Sequence, residues 1–181
     1  MEITNLKNFI REVPDFPKPG INFKDIAPLL QYRFSETIHL MSQAIDWTQI
    51  DAVMGVESRG FIFASALAQE NKKGFIPIRK KGKLPPPIVQ ETYTLEYGQD
   101  CLELPAKNTF TLQTPETMKR RVLIVDDVLA TGGTVKAAIN LCEKAEWKIM
   151  ATMFLINLKS LNDLPVQLAK KGIRFYSMIE Y

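Results

Sequence analysis

The sequence predicts an α/β fold, a mostly parallel twisted sheet flanked by helices. Three observations carry that expectation. DAVMGVE, GFIPIRK and RVLIVDDV each hold a short apolar run of the length expected for a strand buried on both faces. Two of them pass through a glycine-containing turn into segments with helical spacing, GFIFASALAQENKK and TVKAAINLCEKAE. Strands that alternate with helices pair in parallel through right-handed crossovers.

The elements follow in order. NLKNFIREV has amphipathic helical spacing and stops at DFPKPG, where Pro14, Pro17, Pro19 and Gly20 force an irregular connection. From about Phe34 to Trp47, the residues Ile38, Met41, Ala44 and Ile45 recur at helical spacing, with Ser35 as the cap. DAVMGVE is the first buried strand, GFIFASALAQENKK its helix and GFIPIRK the second strand. RKKGKLPPP is stiff and basic. VQETYTLEYGQDCLEL alternates as two strands turning near Gly98-Gln99. This hairpin, over 89–104, breaks the strand–helix alternation, so it is expected outside the main sheet as a flap. PAKNTFTLQTPETMKR reads as loop. RVLIVDDV is the third buried strand, followed by its helix, by KIMATMFLINL, by a short helix near DLPVQLAKKG and by RFYSMIEY. There is no internal repeat and no linker, and 181 residues form one domain by default.

Composition narrows the class. The chain is 46% hydrophobic and 24% charged, which excludes disordered and membrane classes. A net charge of +3 fits a weak nucleic-acid binder, but equally an enzyme with an anionic substrate. Cys101 and Cys142 lack CxxC spacing and have only His39 as an imidazole partner, which excludes a disulfide framework and a zinc site of His and Cys. His39 sits in a helical stretch without acidic or Cys neighbours and reads as a surface residue. The N-terminal stretch lacks an apolar signal core, and no run approaches the ~20 apolar residues of a membrane span. The expected location is the cytoplasm.

VLIVDDVLATGGT is the most informative stretch. In open α/β sheets ligands sit beyond the carboxyl ends of strands, and the strand-to-helix turn makes the contacts. Gly132 and Gly133 let backbone N–H groups approach an anion, the following helix offers its positive end, and Thr131 and Thr134 add hydroxyls. Asp126 and Asp127 beside a phosphate are unfavourable unless sugar hydroxyls or a divalent cation share them. A phosphorylated ribose satisfies the whole stretch. GxxxxGK[ST] and GxGxxG are both absent, since the GxxxxG of Gly55–Gly60 is followed by Phe61.

That stretch resembles the signature of the phosphoribosyltransferases that use phosphoribosyl diphosphate. FPKPGINFKDI at 16–26, GVESRGF at 55–61, and RKKGKLP with TLEYG at 79–98 resemble the adenine-using branch of that family, in order and across nearly the whole chain. The resemblance implies a type I phosphoribosyltransferase fold over 1–181, with a base-binding hood in 1–34, a flap in 80–104 and the phosphoribosyl diphosphate motif in 121–135. It implies transfer of the phosphoribosyl group to adenine, giving AMP and diphosphate in purine salvage.

The resemblance also implies site roles. Glu57, Ser58 and Arg59 bind diphosphate, in a loop where family members often carry a non-proline cis peptide. Arg79, Lys80 and Lys83 reach the same group, partly from a neighbouring subunit, which implies a homodimer. Asp126, Asp127, Ala130, Thr131, Gly132, Gly133 and Thr134 hold the ribose phosphate. Phe23 stacks on adenine while the backbones of Asn22 and Lys24 read its edge. Glu96 moves a proton at the purine ring and Tyr97 closes over the site. Mg²⁺ accompanies the substrate, held mainly by substrate and water rather than by direct protein ligands. Three departures stand out: Pro86 where the family usually has Gly after KLP, and Asn22 and Lys24 where many relatives have an apolar residue and Arg.

Alternatives remain open at this point. The acceptor could be hypoxanthine, guanine, xanthine or orotate, with FPKPGINFKDI favouring adenine. A non-catalytic sensor of phosphoribosyl diphosphate would usually add a DNA-binding segment, and no basic helix-turn-helix precedes residue 20. A flavodoxin-like module for another phosphate would leave four motifs accidental.

Overall fold

The computed structural model describes residues 3–95, 98–106 and 120–181. A 3-10 turn, Ile3–Phe9, leads into β1 (Arg11–Val13), which pairs antiparallel with β2 (Phe23–Asp25). The helix expected over NLKNFIREV is therefore shorter, because its last residues are taken into this ladder. Helix α1 (Ala27–Tyr32) starts with Pro28 in its first turn, and α2 (Phe34–Gln43) follows almost at once. α2 starts after Arg33, so Ser35 lies inside its first turn, and it ends before Trp47.

β3 (Ala52–Val56) leads to α3 (Arg59–Glu70) and β4 (Gly74–Lys80). After the hairpin of β5 (Ile88–Leu95) and β6 (Gly98–Pro105) come β7 (Arg121–Leu129) and α4 (Gly133–Lys144). β8 (Lys148–Asn157), α5 (Leu164–Lys170) and β9 (Arg174–Glu180) complete the described order. Seven strands form one sheet in the order β5-β6-β4-β3-β7-β8-β9. β4, β3, β7, β8 and β9 run parallel, as the alternation requires.

The period of two along a strand divides the core. Met54, Val56, Val122 and Ile124 face a layer with Val135, Ala138 and Leu141 of α4. Val53, Leu123 and Val125 face the opposite layer, with Phe63 and Leu67 of α3 and Met41 of α2. Strands buried on both sides have no polar alternation, which is why VLIV reads as a continuous apolar run.

The hairpin corrects the expectation that it lies outside the sheet. β6 pairs with β4 at Arg79↔Glu103 and Lys80↔Leu102, so the hairpin extends the sheet edge. Leu102 and Leu104 are fully buried in the α4-side core, and Asn140 donates to Glu91 at 3.0 Å while Lys144 pairs with the same carboxylate. Gly98 and Gln99 belong to β6 rather than to a turn. His39 is exposed as expected, but its Nδ1 lies 3.4 Å from Glu70, an acidic neighbour supplied by α3.

Candidate active site

The chain leaves β3 toward β4 on one side, while β7, β8 and β9 build the other. β3 and β7 are adjacent, so the direction of winding reverses between them, and the crevice beyond their carboxyl ends is the expected ligand site. A cavity of about 720 Å³ lies there. Its wall takes Glu57, Ser58 and Arg59 from the turn after β3, and Asp126, Asp127, Ala130 and Thr134 from the end of β7 and the turn beyond it.

Asp126 and Asp127 are successive in β7, and both reach the cavity. The Asp126 carboxyl is pushed well above the ordinary carboxylate range by burial and by the charge of Asp127. Its Oδ1 accepts from the Asp127 amide at 2.9 Å. Gly60 makes this packing possible: a Cβ there would fall 2.7 Å from Asp126 Oδ1 and 2.9 Å from the Val125 carbonyl. Asp127, buried, pairs with the Arg59 guanidinium.

The turn after β7 holds the residues expected to cradle an anion. Gly132 caps α4 with φ +83°, a conformation suited to glycine, and has no side chain to occupy the helix end. The first turn of α4 contains no acid, which leaves its positive end unopposed by local charge. Ala130 and Thr134 form cavity wall; Thr131, Gly132 and Gly133 lie in the same turn but outside that wall.

The Glu57–Ser58 peptide is cis. Burial raises the Glu57 pKa, but the Lys83 ammonium, the Lys80 amide and the Arg79 guanidinium outweigh it, leaving the carboxyl at about 2. Lys83 Nζ lies 2.9 Å from Oε1 and the Lys80 amide 2.9 Å from Oε2. Arg79 is therefore not in the cavity wall; it donates to Glu57 and to the Lys83 carbonyl. Lys80 and Lys83 do line the cavity. Lys80 Nζ meets Asp100 at 3.1 Å, and that contact raises its pKa.

At the other end, Asn22, Phe23 and Lys24 enter the wall. The Phe16 ring packs edge-on against Phe23, centroids 5.2 Å apart. The Arg59 guanidinium lies 5.0 Å from the Phe23 centroid and donates to the Lys24 carbonyl at 3.3 Å.

Sequence reasoning missed Tyr93 and Asp100, which the hairpin register places opposite each other on the cavity wall. The Tyr93 hydroxyl meets Asp100 at 3.4 Å, and burial raises its pKa. Alternation groups every second hairpin residue on one face, but which residues meet across the strands is set only by their pairing. Glu96 and Tyr97 lie outside the described residues.

Residues 30–178 match the phosphoribosyl transferase domain family. The adenine phosphoribosyltransferase of Bdellovibrio bacteriovorus is 48% identical over 162 residues, covering 88% of this chain and 92% of that protein. The crystal structure of adenine phosphoribosyltransferase from Thermoanaerobacter pseudethanolicus superposes with a TM-score of 0.86 at 39% identity, covering 99% of both chains. That of Saccharomyces cerevisiae, complexed with an imino-altritol bisphosphate and adenine, gives 0.81 at 33% identity over 97% of both.

Proposed function

This chain belongs to the phosphoribosyltransferase family and, within it, to the adenine phosphoribosyltransferases; from that premise we propose how its cavity performs the reaction. The activity is transfer of the 5-phosphoribosyl group from phosphoribosyl diphosphate to adenine, giving AMP and diphosphate in purine salvage. The observation that carries the assignment of roles is the meeting, in one cavity, of Asp126 and Asp127, the α4 N-terminus, the basic edge of β4 and the Phe23 ring.

Asp126 and Asp127 accept from the two ribose hydroxyls, while Ala130, Thr131, Gly132, Gly133 and Thr134 take the 5-phosphate on backbone amides and hydroxyls. Ser58, Arg59, Lys80 and Lys83 hold the diphosphate, with Glu57 and Arg79 fixing the basic loop behind them. Phe23 stacks on adenine, and the backbones of Asn22 and Lys24 read its edge. Breaking the bond to diphosphate leaves positive charge on the sugar, which carboxylates stabilise through the hydroxyls they hold. Adenine attacks from the opposite face, with inversion. We assign Glu96 the proton of the purine ring and Tyr97 the closing of the site, which keeps water from the sugar cation.

The metal assigned to the reaction is Mg²⁺, which would be held mainly by substrate oxygens and water, with Asp126 and Asp127 left to the ribose hydroxyls. Among the described residues no three His, Cys, Asp or Glu side chains gather to cage an ion. When bound, the ion stabilises charge on the leaving diphosphate.

The divisions at 1–34, 80–104 and 121–135 serve as base hood, flap and phosphoribosyl motif. We read the enzyme as a cytoplasmic homodimer. Among the described residues no helix is long and apolar enough to cross a membrane. Exposed Ile62 of α3 and Phe75 of β4 offer apolar surface to a second copy. Incubating radiolabelled adenine with phosphoribosyl diphosphate and Mg²⁺ tests the function; labelled AMP is expected, with little transfer to hypoxanthine or guanine in competition. Absence of nucleotide would reject it.

A further inference from the structure

The β1–β2 ladder holds a carboxylate that none of these roles uses. Glu12 stands directly opposite Lys24 in the antiparallel pair. Successive side chains on a strand point to opposite faces, so Asn22 and Lys24 share one face and Phe23 takes the other. On the shared face Glu12 meets both of them: its Oε2 accepts from Asn22 Nδ2 at 2.7 Å and pairs with Lys24 Nζ at 2.8 Å. The Lys24 side chain is only 7% exposed, and its ammonium also lies 3.9 Å from the centroid of the Tyr181 ring. A cation in that position is costly without its carboxylate. Lys24 first, and then Asn22, hold the Glu12 pKa below the ordinary carboxylate value.

The two departures from the family pattern thus have one explanation. Asn22 and Lys24 direct their polar side-chain groups to Glu12, while the main chain between them carries Phe23. The Lys24 carbonyl is engaged from the cavity side by Arg59. We propose that Glu12 is a positioning residue for the nucleobase: by gripping Asn22 and Lys24 together it sets the backbone that flanks Phe23, and so governs affinity for adenine rather than for phosphoribosyl diphosphate. The inference rests on the reading of residues 22–24 as the base site.

The test is steady-state kinetics on the full chain with each substrate varied in turn. Glu12→Ala is expected to raise KM for adenine about tenfold, since small displacements of a positioning group are costly. KM for phosphoribosyl diphosphate and kcat should stay within about twofold. Glu12→Gln, which keeps the shape and the acceptor for Asn22, should show a smaller rise in the same direction. Adding Lys24→Met to Glu12→Ala should make matters no worse, because the stranded ammonium is gone. An unchanged adenine KM in both Glu12 variants, or equal losses for both substrates, would overturn the proposal. If the parent protein forms no AMP, the underlying assignment fails and takes this inference with it. AMP formation by the parent with an unaltered Glu12 series removes only the role of Glu12.

Discussion

Arg59 pairs with Asp127 while its guanidinium lies against the Phe23 ring, so one side chain joins the acid assigned to ribose with the aromatic assigned to adenine. This follows from the local fold: Arg59 opens α3 after β3, Asp127 sits near the end of the adjacent β7, and both reach the crevice. A phosphorylated substrate entering the crevice offers Arg59 a second anionic partner.

Arg59→Ala is therefore expected to raise KM for phosphoribosyl diphosphate by about 30-fold or more, the low end of the cost of losing one partner of a charge pair, because the Arg59 side chain is partly exposed. Initial rates at varied phosphoribosyl diphosphate measure this. A KM within twofold would show that Arg59 serves only Asp127.

Replacing Asp126 or Asp127 with Asn should lower kcat by roughly 10²- to 10³-fold, as expected when charge aimed at a transition state is removed. Thermal melts should show that each variant remains folded. Full turnover by either variant would exclude that carboxylate from the reaction.

Gly60→Ala places a methyl group against Asp126 Oδ1 and the Val125 carbonyl, 2.7 and 2.9 Å away. Backbone cannot yield cheaply, so a loss of about 1–3 kcal/mol in unfolding free energy is expected, with a fall in turnover from displaced Asp126. Urea titration and rate measurements on the same sample check both. A variant as stable and active as the parent would contradict this packing.

Glu57 predicts a pH dependence. Its folded-state pKa is about 2 against an ordinary 4.5, despite burial, because of Lys83, the Lys80 amide and Arg79. A depressed value stabilises the fold fully above about pH 4.5, and the contribution disappears as pH falls through about 2. Its size is up to about 3 kcal/mol before solvent screening at half-exposed Lys83 reduces it. Glu57→Gln should flatten the loss of stability across that window, as followed by urea unfolding at successive pH values. An equally steep loss in the variant would place the acid sensitivity elsewhere.

Much of this site was legible because chemistry and fold signals coincide. VLIV can be buried on both faces of a sheet, and the acids and glycines that follow have no use in a core, so β7 and its turn could be read together. The two-residue union of β6 with β4 is different: it depends on which edge Leu102 and Leu104 can bury against, and local alternation carries no such information. Tyr93 and Asp100 escaped for the same reason, since their register becomes visible only when the strands pair. Arg79 belongs to a basic run that reads as anion-binding, but buried Glu57 claims its guanidinium.

A crystal structure of the protein with phosphoribosyl diphosphate and Mg²⁺ tests the central claim most directly. The ribose hydroxyls should lie within hydrogen-bond distance of Asp126 and Asp127, with the 5-phosphate on the amides of residues 131–134. A sugar bound elsewhere, or those carboxylates facing solvent while the substrate is in place, would contradict it.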